Sequence, residues 1–130
     1  MATNSLLLDT DIFIDYLNGI PSAVSLIDTA HFDLYYSSWT RKELLGKSGL
    51  RDSERREVKD LLDRFRIISV DDAIAAKYWI LLKKYEERGL RQADAIIAAT
   101  AWQRNLPLLT RNQKHFRFIK EIELAPVYKD

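Results

Sequence analysis

A chain of 130 residues with a formal net charge of +1 has room for one compact core but not for two ordinary domains, and it carries no global basic bias toward polyanions. Hydrophobic residues make up 47% and charged residues 30%, a globular composition rather than a disordered one. Cysteine is absent and only His31 and His115 supply imidazole, which excludes disulfides, thiolate metal sites, a Cys nucleophile and a His-rich zinc site.

The first residues, "MATNS", carry no basic leader region, and no apolar run approaches the length of about 18 residues that a membrane span needs, so the expected address is the cytoplasm. Ser5–Leu8 is a short apolar run. A helical stretch follows through Ile12, Phe13, Tyr16 and Leu17 and stops at Asn18-Gly19. Pro21–Thr29 reads as a second short helix with proline near its first position, and "FDLYYSS" as an aromatic-rich strand. Residues 40–47 look like a helix start closed by "KSG". From Ser53 to Phe65 the chain is amphipathic, with Val58, Leu61, Leu62 and Phe65 at i, i+3, i+4 and i+7. "RIISV" is a β-branched strand. A long helix follows with Ile74, Tyr78, Leu81, Leu82 and Tyr85 on one stripe, ending near Gly89. "ADAIIAATAWQRN" is an Ala-rich helix, "PLLT" a strand, "NQKHF" a turn or short helix, and "IELAPV" a last, edge-like strand.

Strands thus alternate with helices and no linker or repeat interrupts them. The pattern predicts one domain over residues 1–130, a three-layer α/β/α sandwich with a mainly parallel sheet of four to five strands. In such folds the ligand site lies outside the carboxyl ends of the strands. Four oxygen-bearing side chains fall there. Asp9 follows the first strand, Glu43 lies in the first turn after "LYYSS", Asp94 opens the Ala-rich helix, and Asn112 comes two residues after "PLLT". An all-oxygen set suits a hard divalent cation such as Mg²⁺ or Mn²⁺. Each residue also has a local explanation. Asp9 or Thr10 can cap the following helix, Thr40-x-x-Glu43 fits a capping box, Asp94 can complement the helix dipole, and Asn112 can cap the "QKHF" turn. Asp71 and Asp72 follow a strand too, and are read as caps of the helix from Ala73.

The segments "LLLDTDIFIDYLNG", "SSWTRKELLGKSG" and "ADAIIAATAWQRNLPLLTRNQKHF" together resemble the PIN-domain ribonucleases, most closely the short VapC-type toxins of type II toxin–antitoxin pairs. They occur in that family's order and span almost the whole chain. The resemblance implies a Mg²⁺- or Mn²⁺-dependent endoribonuclease that leaves 5′-phosphate and 3′-hydroxyl ends, forms a homodimer and is held inactive by an antitoxin. By position, Asp9, Glu43 and Asp94 match the family's metal-binding acids, and Asn112 a fourth position held by Asp or Asn. Asp11 stands where the family usually has Asn. It and Thr110 are read as supports that orient the ligating groups or water, and Asp15 as a solvated residue.

Clustered carboxylates without metal raise one another's pKa, and a bound cation turns that repulsion into affinity. Such an ion would activate water and polarise the phosphoryl group. Arg41, Lys42, Lys47, Arg111 and Lys114 flank the predicted site and are candidates for phosphate contacts. His115 is read as solvated or partner-facing, and Trp39, Trp79 and Trp102 as core residues before base-stacking ones. Two other classes compete. A phosphatase of the D-x-D-x-T type is opposed by Phe13 at the fifth position and by the lack of a Lys before a later acidic pair. A non-catalytic RNA- or protein-binding module on the same fold is opposed by the retention of all three acids.

Overall fold

The computed structural model describes residues 4–129, so the reading of Met1–Thr3 as free of a leader, and the outer limits of the domain, lie outside the described residues. Strands β1 (Ser5–Leu8), β2 (Asp33–Ser37), β3 (Arg66–Ile68) and β4 (Leu108–Leu109) form one parallel sheet in the order β3-β2-β1-β4. Leu6 lies opposite Leu34, Tyr36 opposite Ile67, and Leu7 opposite Leu108. Helices α1 (Thr10–Leu17) and α2 (Pro21–Asp28) connect β1 to β2, α3 (Ser38–Leu45) and α4 (Asp52–Leu62) connect β2 to β3, and α5 (Asp72–Lys84) and α6 (Gln92–Arg104) connect β3 to β4.

This order explains the layers. Crossovers between parallel strands are right-handed, so connections that advance along the sheet and a connection that returns must use opposite faces. The chain advances from β1 to β3 and then returns to β4 on the far side of β1. Leu7 packs with Ile74, Leu81, Ile97 and Phe116 on the α5–α6 face, whereas its neighbour Leu8 packs with Ile12, Phe13, Tyr36 and Leu62 on the other. Both leucines are fully buried, as a sheet covered on both faces requires. Ala95, Ala98 and Ala99 are fully buried in α6 and let α5 lie close to it. The three-layer sandwich expected from the sequence is therefore present. None of the described helices is long and apolar enough to cross a membrane.

Several boundaries move for local reasons. The last expected strand is reduced to an isolated parallel bridge between Leu108 and Leu124, although Ala125 N–H still donates to the Leu108 carbonyl at 2.8 Å. Pro126 has no N–H with which to extend the ladder. Strand β3 stops at Ile68, and Val70 N–H donates to Ser38 Oγ instead. Helix α3 begins at Ser38, because Ser37 ends β2 in an extended conformation and its hydroxyl accepts from Trp39 N–H at 3.1 Å. Thr40 therefore lies inside the helix and does not cap it. Asp71 does cap α5, accepting from Ile74 N–H at 2.9 Å. Trp39 and Trp102 pack against the core, but Trp79 is 66% exposed and is no core residue.

Candidate active site

The strand order reverses between β1 and β4, and the residues that leave those two strands are Asp9 and Thr110. This is the switch point of the sheet, where diverging helices leave a crevice. Asp9 N–H donates to the Leu109 carbonyl at 2.9 Å, which holds the two strand ends in register. The Asp9 side chain caps α1: Oδ1 accepts from Thr10 N–H at 2.8 Å. Its other oxygen, Oδ2, accepts from the Thr110 hydroxyl at 2.8 Å. The Thr110 oxygen in turn accepts from Asn112 N–H at 3.0 Å. A hydroxyl has one proton to give, so the 3.4 Å contact from Thr110 to Asp11 Oδ2 is secondary. Asp11 Oδ2 accepts chiefly from Arg111 N–H at 2.9 Å.

A cavity of about 280 Å³ opens at this point, with Asp9, Asp11, Glu43, Arg91, Asp94 and Asn112 among its lining. Four residues that the sequence places at strand ends or first helical turns thus face one space. Glu43 reaches it from α3, with Oε1 accepting from the Thr10 hydroxyl at 2.9 Å. Thr10 has spent its proton there, so the fully buried Thr40 donates to it across 2.9 Å. That contact, and not a capping box, accounts for Thr40 and Glu43. Asp94 is 8% exposed in the first turn of α6, and Arg91 Nε donates to its Oδ2 at 3.0 Å. Arg91 Nη2 also meets His115 Nδ1 at 2.8 Å. A guanidinium can only donate, so Nδ1 is the acceptor of that bond, and the 3.5 Å approach of Nδ1 to Asp94 is not an ion pair.

Burial, then the charge of Asp11 and to a lesser extent that of Asp94, pushes the Asp9 carboxyl up to about 7, against the hydrogen bonds from Thr110 and Thr10. Asp11 is also raised, by burial and by Asp15, and its Oδ1 is buried with no hydrogen-bond partner. A cavity that favours the neutral forms of Asp9 and Asp11 and leaves an Asp11 oxygen unpaired suits a divalent cation. The donors are all hard oxygens, from Asp9, Asp11, Glu43, Asp94 and Asn112. Among the described residues no three acidic or histidine side chains are drawn onto a common point. Glu43 is held by Thr10 and Asp94 by Arg91, so the donor set is present but not closed.

Other expected residues lie elsewhere. Arg41 donates to the Tyr36 hydroxyl at 3.2 Å and to Asp63 at 3.1 Å, which ties α3 to the end of α4. Lys42 is exposed on α3 and does not line the cavity. Arg111 is bound to Asp15 at 2.8 Å and lies over the Tyr128 ring, so its guanidinium is already engaged. Asp15 is not solvated: it accepts from both Arg111 and the Tyr128 hydroxyl, the latter at 2.9 Å. His115 is half-buried against Arg91 rather than free. Sequence reading missed Thr10 and Arg91. The signal for Arg91 was its place three residues before Asp94, the spacing of a helical pair.

The PIN domain family model matches residues 6–121. The ribonuclease VapC10 of Mycobacterium tuberculosis is 34% identical over 91% of this chain and 90% of its own length. Among solved structures, a toxin–antitoxin complex from Klebsiella pneumoniae contains a chain with 30% identity and a TM-score of 0.76, covering 90% of this chain and 94% of that one. VapBC2 from Rickettsia felis, bound to a DNA fragment from its promoter, contains a chain with 26% identity and a TM-score of 0.81, covering 93% and 97%. With a family model spanning nearly its whole length and a curated relative aligned over 91% of it, the chain belongs to the PIN-domain family and within it is similar to the VapC ribonucleases.

Proposed function

We propose that this chain is a divalent-metal-dependent endoribonuclease and the toxin of a toxin–antitoxin pair, acting in the cytoplasm as one PIN-like domain over residues 1–130. The observation that carries the reading is the convergence of Asp9, Glu43, Asp94 and Asn112 on one cavity at the switch point of the sheet. PIN-domain ribonucleases generally use divalent metal ions. The curated relatives named ribonucleases support the activity, and the solved toxin–antitoxin complex from Klebsiella pneumoniae supports an antitoxin partner. A homodimer follows from the same resemblance.

Asp9, Glu43 and Asp94 would hold Mg²⁺ or Mn²⁺, with Asn112 beside them. A cation held there would supply water activation and charge neutralisation at the phosphoryl group. The chain's own groups prepare that chemistry. Thr110 fixes the rotamer of Asp9, and Thr10, backed by Thr40, fixes Glu43. Arg91 lines the cavity, and its Nη1, which the bonds to Asp94 and His115 leave over, has N–H groups that a phosphodiester can accept. Asp11 holds the turn after β4 through Arg111 N–H and so positions Asn112.

Purified protein incubated with RNA and Mg²⁺ or Mn²⁺ should cleave it to 5′-phosphate ends, and chelator should stop the reaction. Asp9→Asn and Asp94→Asn should each bring cleavage down to the chelated background while circular dichroism stays native. Full activity in both variants would refute the assignment, and RNA binding without any cleavage by the wild type would favour a non-catalytic module.

A further inference from the structure

The carboxylate cavity has a different neighbour on each side. Helices α1, α3 and α4 frame a cleft of about 390 Å³ that shares Thr10 and Glu43 with it. Ile14, Leu17, Leu44 and Val58 make that cleft apolar, and Glu43, Glu54 and Glu57 outnumber its one base, Lys47. Away from that cleft, the 3₁₀ turn Gln113–His115 and the C-terminal segment frame a groove of about 720 Å³ that joins the cavity at Asn112 and shares no residue with the cleft. The groove is lined by Arg111, Lys114, His115, Arg117 and Lys129, with no Asp or Glu among its described lining residues. A small cavity of about 190 Å³ bridges the two. It shares Arg91 and Asp94 with the carboxylate cavity and Lys114 and His115 with the groove.

The cations of the groove differ in what they are free to do. Arg111 is bound to Asp15 and stacked on Tyr128. The side chains of Lys114, Arg117 and Lys129 make no hydrogen bond or ion pair among the described residues, and all three are exposed. Glu54 is paired with Arg51 at 2.9 Å, so the unpaired lining charges of the α4 cleft are Glu43, Glu57 and Lys47, an excess of acid. The groove toward the C-terminal segment instead offers a polyanion uncompensated positive charge. Backbone contacts of this kind fix the path of a strand without reading its sequence.

We propose that the groove between the 3₁₀ turn and the C-terminal segment is the track of the single-stranded RNA backbone, in which Lys114, Arg117 and Lys129 take successive phosphates beyond the cleaved one. The α3–α4 side carries no RNA. This rests on the ribonuclease reading and adds a direction to it.

The test measures binding of a labelled single-stranded oligouridylate to the full chain by fluorescence anisotropy across a salt series, with chelator present to keep the RNA intact. Each phosphate contact contributes about 0.7 to the slope of log K against log salt for single strands, so the double variant Lys114→Gln/Arg117→Gln should lower the slope by about 1.4 and weaken binding. A control pair on the exposed side of α4, Arg56→Gln/Lys59→Gln, should change neither. With Mg²⁺ present, the groove variant should raise KM and leave kcat close to wild type. Equal weakening in both pairs, an unchanged slope in the groove pair, or no RNA binding by the wild type would each overturn the track. An unchanged slope is also the result expected if the groove takes an acidic segment of a protein partner. Binding with the expected slope loss but no cleavage under any metal would keep the track and sink the nuclease, whereas cleavage indifferent to Lys114 and Arg117 would do the reverse.

Discussion

Asp9 is asked to be both a helix cap and an acid in a crowded cavity, and its proton records the conflict. In the unfolded chain it titrates at the ordinary 3.8, whereas in the folded chain it is pushed up to about 7. Between those values the native state holds a proton that the unfolded state has released, so stability falls as pH rises through the window. The loss is on the order of 4 kcal/mol when complete. Asp11, raised as well, acts in the same direction. In chelator, the melting temperature should fall from about pH 4 to about pH 7, and Asp9→Asn should flatten most of that fall. Added Mg²⁺ should raise the melting temperature more above about pH 7 than below it, because only the ionised acid is a ligand. A wild-type melting temperature that climbs across the window would refute the raised pKa. At this scale the strand-end positions of Asp9, Glu43, Asp94 and Asn112 were readable from the sequence. Their supports were not, since the hydroxyl chain Thr40–Thr10–Glu43 links residues 30 to 33 positions apart that only the packed sheet brings together.

Helix α6 shows how an element can place chemistry through its packing. Asp94 projects from its first turn into the cavity, and the following Ala95, Ala98 and Ala99 are fully buried. The alanines set how near α6 lies to α5 and the sheet, and hence where the Asp94 carboxylate sits. Ala98→Leu should overpack that contact and destabilise the fold by about 1–3 kcal/mol, measured by urea denaturation. The displaced helix should also lower cleavage activity, although residue 98 does not line the cavity. A variant with wild-type stability and activity would show that the contact has slack. The existence of α6 was plain from its alanines, that of β1 from its apolar run and that of β2 from its aromatics. Boundaries were less so. Ser37 serves as the last residue of β2 and the cap of α3 at once, and a reading that reserves a loop between strand and helix starts α3 two residues late. The segment "IELAPV" reads as an edge-like strand, but Pro126 leaves it one bridge.

For the whole molecule, the near-zero net charge conceals a division of the surface. Acids gather at the switch point and along the α4 cleft, bases along the C-terminal groove, and the apolar exposure lies mostly elsewhere. Of the exposed large hydrophobic residues, Ile67 and Val70 belong to β3 and its exit, and Trp79 and Ile80 to α5. Neither set lines the carboxylate cavity or the basic groove, so an assembly built on this surface leaves the site open to RNA. Tryptophan is the residue type most often found to dominate an interface when it is central to it. If the homodimer forms through α5, Trp79→Glu should convert the dimer to monomer in sedimentation velocity, weakening association by at least about 2 kcal/mol, roughly thirtyfold. The fold should persist, because Trp79 is two-thirds exposed in the single chain. Cleavage by the monomeric variant should continue, since a single chain supplies Asp9, Glu43, Asp94 and Asn112 together. A Trp79→Glu protein that remains dimeric would move the interface off α5, and one that is monomeric and inactive would mean that the second copy completes the site.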